Sequence, residues 1–276
     1  MEIGPKILYN GLYAGISPYS TFGFGKGAAA IAQVLTFVSG KGGVGKSSVA
    51  AAVAQALAAA GKKILIVDMD IGLKSLDVIF GIGDSVVYHW GDMIQGRCSR
   101  GDAVKRVGEV DILSAPLRPA AAFTREAVRK MIADCASAYD FILLDAPSGL
   151  GQNIDLAVCA ATGAVIVATP DRISASAAGE CAAGLRQLGI PTIRLIVNRF
   201  SARVIRKGFA LNLDEMIDLC AARLIGVIPE DPAFAISTCN GLSFRQTDAY
   251  RAAQNVARRI LGQEIPLKHL EKLGNN

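Results

Sequence analysis

Unbroken apolar runs, rather than alternating ones, dominate the chain. Val34-Leu35-Thr36-Phe37-Val38, Lys63-Ile64-Leu65-Ile66-Val67-Asp68, Val110-Asp111-Ile112-Leu113 and Phe141-Ile142-Leu143-Leu144-Asp145 are the first four. Ala164-Val165-Ile166-Val167-Ala168, Ile193-Arg194-Leu195-Ile196-Val197 and Leu224-Ile225-Gly226-Val227-Ile228 follow. A strand that is apolar on both sides is a strand covered on both sides. Between the runs, helical character marks 48–57, 86–95, 124–137, 152–161, 174–188, 213–222 and 245–261. Gly61 is a helix stop just ahead of the second run. Strands alternating with helices predict an α/β fold, one domain with a mainly parallel twisted sheet and helices on both faces. In such a sheet a ligand lies beyond the carboxyl ends of the strands.

Polar residues collect at those ends. Gly40-Lys41-Gly42-Gly43-Val44-Gly45-Lys46-Ser47 leaves the first strand, and Ser48 continues into an alanine-rich helix. Strand, glycine loop and helix together form a phosphate-binding loop, in which small residues let successive N–H groups turn toward an anion. Lys46 is placed for the β- and γ-phosphates, and the Ser47 hydroxyl for Mg²⁺. Lys41 comes so early in the loop that it points away from its own nucleotide, which makes it a candidate for the nucleotide of a facing subunit. A glycine-rich turn with a chance lysine is the competing reading, and the flanking strand and helix argue against it.

Asp145 ends a strand where a P-loop enzyme places the acid that holds Mg²⁺ through water. Ala146-Pro147-Ser148-Gly149 then gives a turn suited to a nucleotide-sensing switch. Asp68 and Asp70 lie at the end of the second strand; Asp70 is the candidate that orients the attacking water, with Asp68 nearer Mg²⁺. Asn198-Arg199 and Pro229-Glu230-Asp231 close two later strands and offer paired donors and acceptors to a base edge. Each of these acids and loops also has an ordinary structural reading, as a turn cap or a loop hydrogen bond.

At 276 residues and 51% hydrophobic, the chain can bury one large core. A net charge of +5 suits an anionic partner without choosing between lipid and nucleic acid. None of the six cysteines forms a C-x-x-C pair and there are two histidines, which argues against zinc and c-type haem sites. No run is long and charge-free enough to cross a membrane. Residues 1–32 lack the basic and apolar regions of a secretory signal and are expected to form an appended arm. The expected division is this extension, an ATPase domain over 33–264, and a tail over 265–276.

The ordered set of motifs resembles the deviant Walker A ATPases, the MinD/ParA family. The loop with Lys41 and Lys46 is one match. Asp68-Met69-Asp70-Ile71-Gly72-Leu73-Lys74-Ser75-Leu76-Asp77 is similar to the MinD form of the second segment. Val86-Val87-Tyr88 with Ile94-Gln95-Gly96 resembles a MinD helix, and Asp145 to Gly149 its second switch. Val197-Asn198-Arg199 and Gly226-Val227-Ile228-Pro229-Glu230-Asp231 complete a likeness that runs from about 34 to 266.

The resemblance implies an ATP-dependent homodimer, with Gly40 to Ser48 around the phosphates and Mg²⁺ held at Ser47, Asp68 and Asp145. Lys41, Lys46 and Asp70 would be catalytic, and Asn198, Arg199, Pro229, Glu230 and Asp231 would contact the base. It also implies septum positioning with a MinC-like division inhibitor and a MinE-like or topological regulator, in the cytoplasm at the inner face of the membrane. Two departures stand out. Leu267, Leu270 and Leu273, beside Lys268 and Lys272, make a short tail for membrane contact, and Lys74-Ser75 replaces the more usual Arg-Asn. The alternatives are a ParA-type or flagellar-number regulator acting on DNA or a polar complex, and an iron–sulfur reductase or carrier using Cys98 or Cys135.

Overall fold

A computed structural model of the protein describes residues 32–149, 151, 154–267 and 270–274. Eight strands form one sheet: β1 (Gln33–Ser39), β2 (Ile64–Asp68), β3 (Lys105–Val107), β4 (Val110–Leu113), β5 (Phe141–Ser148), β6 (Gly163–Ala168), β7 (Ile193–Phe200) and β8 (Arg223–Pro229). Their order is β3-β4-β2-β5-β1-β6-β7-β8, parallel throughout except for the β3–β4 pair. The unbroken apolar runs are thereby explained, since β2 and β6 are buried along their whole length.

The helices are α1 (Lys46–Ala59), α2 (Ser75–Ile79), α3 (Trp90–Ile94), α4 (Arg100–Ala103), α5 (Arg125–Ala136) and α6 (Ile154–Val158), then α7 (Arg172–Gln187), α8 (Ala202–Arg206), α9 (Leu213–Cys220), α10 (Pro232–Cys239) and α11 (Asp248–Ile260). One face of the sheet buries Leu65, Val67, Ile142, Leu144 and Leu195 against α5, α6, α7 and α9. The other buries Leu35, Phe37, Ile66, Leu143 and Ile196 against α1 and α11. α1 lies deepest, with ten of its fourteen residues buried, and its polar residues are Lys46, Ser47 and Ser48 in the first turn and Gln55 further on. Its alanines let it approach both β1 and α11 closely.

Several expectations change in detail. The helix expected over 86–95 is confined to α3, because His89 is extended and closes a capping box with Asp92 that fixes the first turn. β5 does not end at Asp145 but pairs with β1 as far as Ser148, and the turn comes at Gly149, whose φ is 78°. β3, α2, α4, α8 and α10 were not foreseen; β3 is three residues long and carries Lys105 and Arg106. The expected arm over 1–32 lies outside the described residues except for Ala32, which is buried.

The tail folds back on the protein. Leu267, Leu270 and Leu273 pack against the core rather than facing outward, with Leu270–Lys272 in a 3-10 turn. The Ala202 N–H donates to the Leu273 carbonyl at 3.0 Å, and the Ser201 hydroxyl to that of Gly274 at 2.8 Å. The Arg206 guanidinium donates to the Glu271 carbonyl at 2.7 Å. Lys268 lies outside the described residues.

Candidate functional site

β1 occupies the middle of the sheet, where the chain turns to one side for β2 and to the other for β6. The loop that leaves it opens at that switch of direction. Gly43 and Gly45 have φ of 78° and 86°, which an L side chain rarely adopts. Gly40 is required for a different reason, because a Cβ there would lie 2.1 Å from the Ala177 carbonyl oxygen on α7. Gly45 starts α1 without a side-chain cap, and the first turn holds no acid. Its N–H groups and the positive end of the helix dipole are left for an anion.

Lys46 and Asp145 meet beneath this loop. The ammonium lies 2.6 Å from Asp145 Oδ1 and 3.2 Å from Ser47 Oγ, with Lys46 6% exposed and Asp145 fully enclosed. The other oxygen, Oδ2, is buried without a hydrogen-bond partner. An acceptor of this kind beside a serine hydroxyl suits a hydrated divalent cation, and the bare helix terminus suits the phosphates that share it. The residues present therefore fit Mg²⁺-nucleotide. Among the described residues there is no cluster of three or more His, Cys, Asp or Glu able to hold a metal by itself.

Asp68 sits in register with Asp145 on the adjacent strand and is completely buried. Its Oδ1 accepts from the Asp70 N–H at 2.9 Å and its Oδ2 from the Leu76 N–H at 3.1 Å. Both oxygens thus brace the segment that carries Asp70, beside whatever part Asp68 takes at Mg²⁺. Burial, reinforced by the neighbouring Asp145 charge, pushes the Asp68 carboxyl up to about 7. Asp70 is half-buried at the rim; burial raises its pKa as well, opposed by Lys46.

Lys41 stands apart from this group. It is exposed, and its ammonium lies 3.9 Å from the carboxylate of Asp171, which N-caps α7 through the Ser174 N–H. Together they line a cavity of about 380 Å³ with Gly42, Gly43, Val44 and Arg199. Asp171 escaped notice in the sequence, although a strand end followed by Asp-x-x-Ser is a readable cap signal.

A second cavity, about 340 Å³, gathers Gly45, Ser48, Asn198, Arg199, Pro229, Glu230 and Asp231 beside the loop. All five residues expected to contact a base are therefore neighbours. Two of them have structural tasks as well. The Asn198 amide donates to the Val44 carbonyl at 2.8 Å, and the two Asp231 oxygens accept from the N–H groups of Phe234 and Ala249. Phe234, Thr238 and Cys239 of α10 complete the wall. No local signal in the sequence marks them, since the fold alone brings α10 across the loop.

The cysteines do not form a comparable centre. Cys135 is buried and Cys98 half-buried, and burial pushes the Cys135 thiol up to about 11.

A family model described as "ParA: NUBPL iron-transfer P-loop NTPase" matches residues 30–265. The septum site-determining protein MinD of Bacillus subtilis is 33% identical over 251 residues, covering 87% of this chain and 93% of its own. Among solved structures, the MinC:MinD cell division complex of Aquifex aeolicus aligns with a TM-score of 0.80 at 32% identity, over 86% of this chain and 99% of that one. MinD of Pyrococcus horikoshii complexed with Mg-ADP aligns with a TM-score of 0.74 at 26% identity, over 83% and 96%.

Proposed function

The chain belongs to the ParA family of P-loop NTPases, alongside MinD, and we propose on that premise that each part of the site serves an ATP-driven dimer switch that positions the division septum. It is a MinD-type ATPase that uses ATP and Mg²⁺. The loop amides and Lys46 would hold the phosphates, and Ser47 with the unpartnered oxygen of Asp145 would hold Mg²⁺. Mg²⁺ would neutralise the charge that develops on the phosphate oxygens. Asp70, on the segment braced by Asp68, orients water for in-line attack, a task of positioning rather than of strong basicity. Asn198, Arg199, Pro229, Glu230 and Asp231 border the base.

Lys41 supplies the switch. In the single protomer it rests near Asp171 in solvent, so the pair is weak and easily parted. The phosphates of a second protomer's nucleotide are a stronger partner than one carboxylate. ATP thus favours the dimer and hydrolysis dissolves it. The dimer carries a MinC-like inhibitor, as in the Aquifex complex, and meets a MinE-like or topological regulator at the inner face of the membrane. Leu267, Leu270 and Leu273 are the contact with lipid once the tail leaves the core. A single tail of three leucines binds weakly, and two on one dimer bind usefully.

The observation that carries this reading is the meeting of Lys46, Ser47, Asp145 and Asp70 at the carboxyl ends of β1, β2 and β5, with Lys41 outside the cluster. The test is Asp70→Ala, sized by gel filtration and sedimented with anionic vesicles or plasmid DNA in ATP and in ADP. A stable dimer in ATP that pellets with vesicles, and a monomer that does not in ADP, is expected. Hydrolysis at the parental rate removes Asp70 from catalysis, and pelleting with DNA instead of vesicles transfers the chain to the ParA-type reading.

A further inference from the structure

We propose, on the reading that Asp70 orients the attacking water, that Lys74 and Asp77 form a positioning pair for the hydrolytic step. The pair fixes the far end of the segment that carries Asp70 and acts on the reaction through it, without touching nucleotide.

Residues 69–77 leave β2 and enter α2, and they are tied down at three places. At the start, Asp68 accepts from the N–H groups of Asp70 and Leu76. In the middle, the Gly72 N–H donates to the Pro116 carbonyl at 3.0 Å. At the end, Asp77 is 2% exposed, and its Oδ1 accepts from the Ser114 hydroxyl beyond β4 at 2.6 Å. The third tie is the unusual one. Asp77 Oδ2 is buried with no hydrogen-bond partner, a costly state for a carboxylate. An asparagine would accept from Ser114 without that cost, so the bond to Ser114 does not account for the acid.

Lys74 accounts for it. Its ammonium lies 3.8 Å from Asp77 Oδ2, and with one partner buried the attraction is screened less than between two exposed groups. The backbone of Lys74 is itself strained. It starts α2 with φ of 49° and ψ of 42°, a left-handed conformation that costs a residue with a side chain about 1 kcal/mol or more. That turn brings the Leu76 N–H back to Asp68. Glycine would adopt it freely, so the lysine is there for its side chain. In-line attack tolerates little displacement of the group that orients the water. The phosphate loop lies on β1 and α1, outside this segment. A change in the pair therefore reaches turnover and leaves nucleotide binding alone.

The experiment measures ATP hydrolysis by the full chain with Mg²⁺ over a range of ATP, beside sedimentation in a non-hydrolysable ATP analogue. Lys74→Gly relieves the backbone and removes only the side chain. Its kcat should fall about tenfold or more, with KM within about twofold of the parent and the dimer retained. Lys74→Arg should recover most of that loss. Asp77→Asn, which keeps an oxygen for Ser114, should lower kcat to a similar degree, and the double variant should be no slower than either single one. Lys74 is half-buried, so Lys74→Gly and Lys74→Arg decide the matter alone if Asp77→Asn does not fold. Parental kcat in Lys74→Gly overturns the pair, as does a raised KM or a lost dimer, which would place Lys74 at the nucleotide or between copies. Parental hydrolysis in Asp70→Ala, measured alongside, identifies a failure of the reading of Asp70 itself.

Discussion

Lys46 and Asp145 face each other in a space with almost no water, so neither can be altered alone without consequence. Lys46→Ala removes the cation from a fully enclosed carboxylate and empties the position that meets the phosphates. Its ATP dissociation constant should rise by about a hundredfold or more; titration calorimetry that returned wild-type affinity would refute the loop's assignment. Asp68 gives a second, independent check through pH. Its carboxyl is raised from 3.8 to about 7, so the folded protein binds this proton more tightly than the unfolded chain does. The stability it contributes is complete below about pH 4 and is lost as pH rises toward 7. In nucleotide-free protein, the stability of the wild type minus that of Asp68→Asn should fall by roughly 3–4 kcal/mol across that interval. Denaturant melts showing a difference independent of pH would exclude the coupling. Lys46, Asp70 and Asp145 were legible from residue type and place alone. The second duties of Asp68 and Asn198 were not, because they depend on main-chain groups that only the folded loop brings within reach.

Secondary-structure elements were read best where the chain was most apolar. The seven long runs all became strands, since a segment buried on both faces leaves no competing arrangement for its side chains. Short elements were missed. α10 is one, and it walls the base cavity only because Asp231 ties its first turn to that of α11. One carboxylate serves two helix starts, so Asp231→Ala should cost about 1–3 kcal/mol and weaken nucleotide binding more than it weakens the fold. Chemical denaturation beside a nucleotide titration separates the two; an unchanged melt would mean that α10 and α11 are held by their apolar contacts alone. The tail shows what residue spacing leaves open. Its three leucines rest on the core in this arrangement, and Gly274, with φ of 62°, closes the tail onto β7 and α8. A Cβ there would lie 2.4 Å from the Phe200 carbonyl oxygen. Gly274→Val should therefore detach the tail and accelerate hydrogen exchange at the Ala202 amide, which donates to Leu273; unaltered exchange would show that the leucines alone hold it.

At the scale of the molecule, the site is a property of the sheet order. The glycine loop, Asp70 and Asp145 come from three separate stretches of sequence, and β1, β2 and β5 become neighbours only in the assembled sheet. Lys41→Ala leaves that centre untouched, so it should retain nucleotide binding while losing the ATP-dependent dimer. Analytical ultracentrifugation in a non-hydrolysable ATP analogue reads both; a dimer as tight as the wild type's would remove Lys41 from the interface. One of the two outermost strands, β3, has its own bearing on how copies meet. β3 is short, turns against the direction of the rest and carries Lys105 and Arg106, features that discourage another chain from hydrogen-bonding alongside. Concentrated protein is thereby steered away from fibrillar growth at that border.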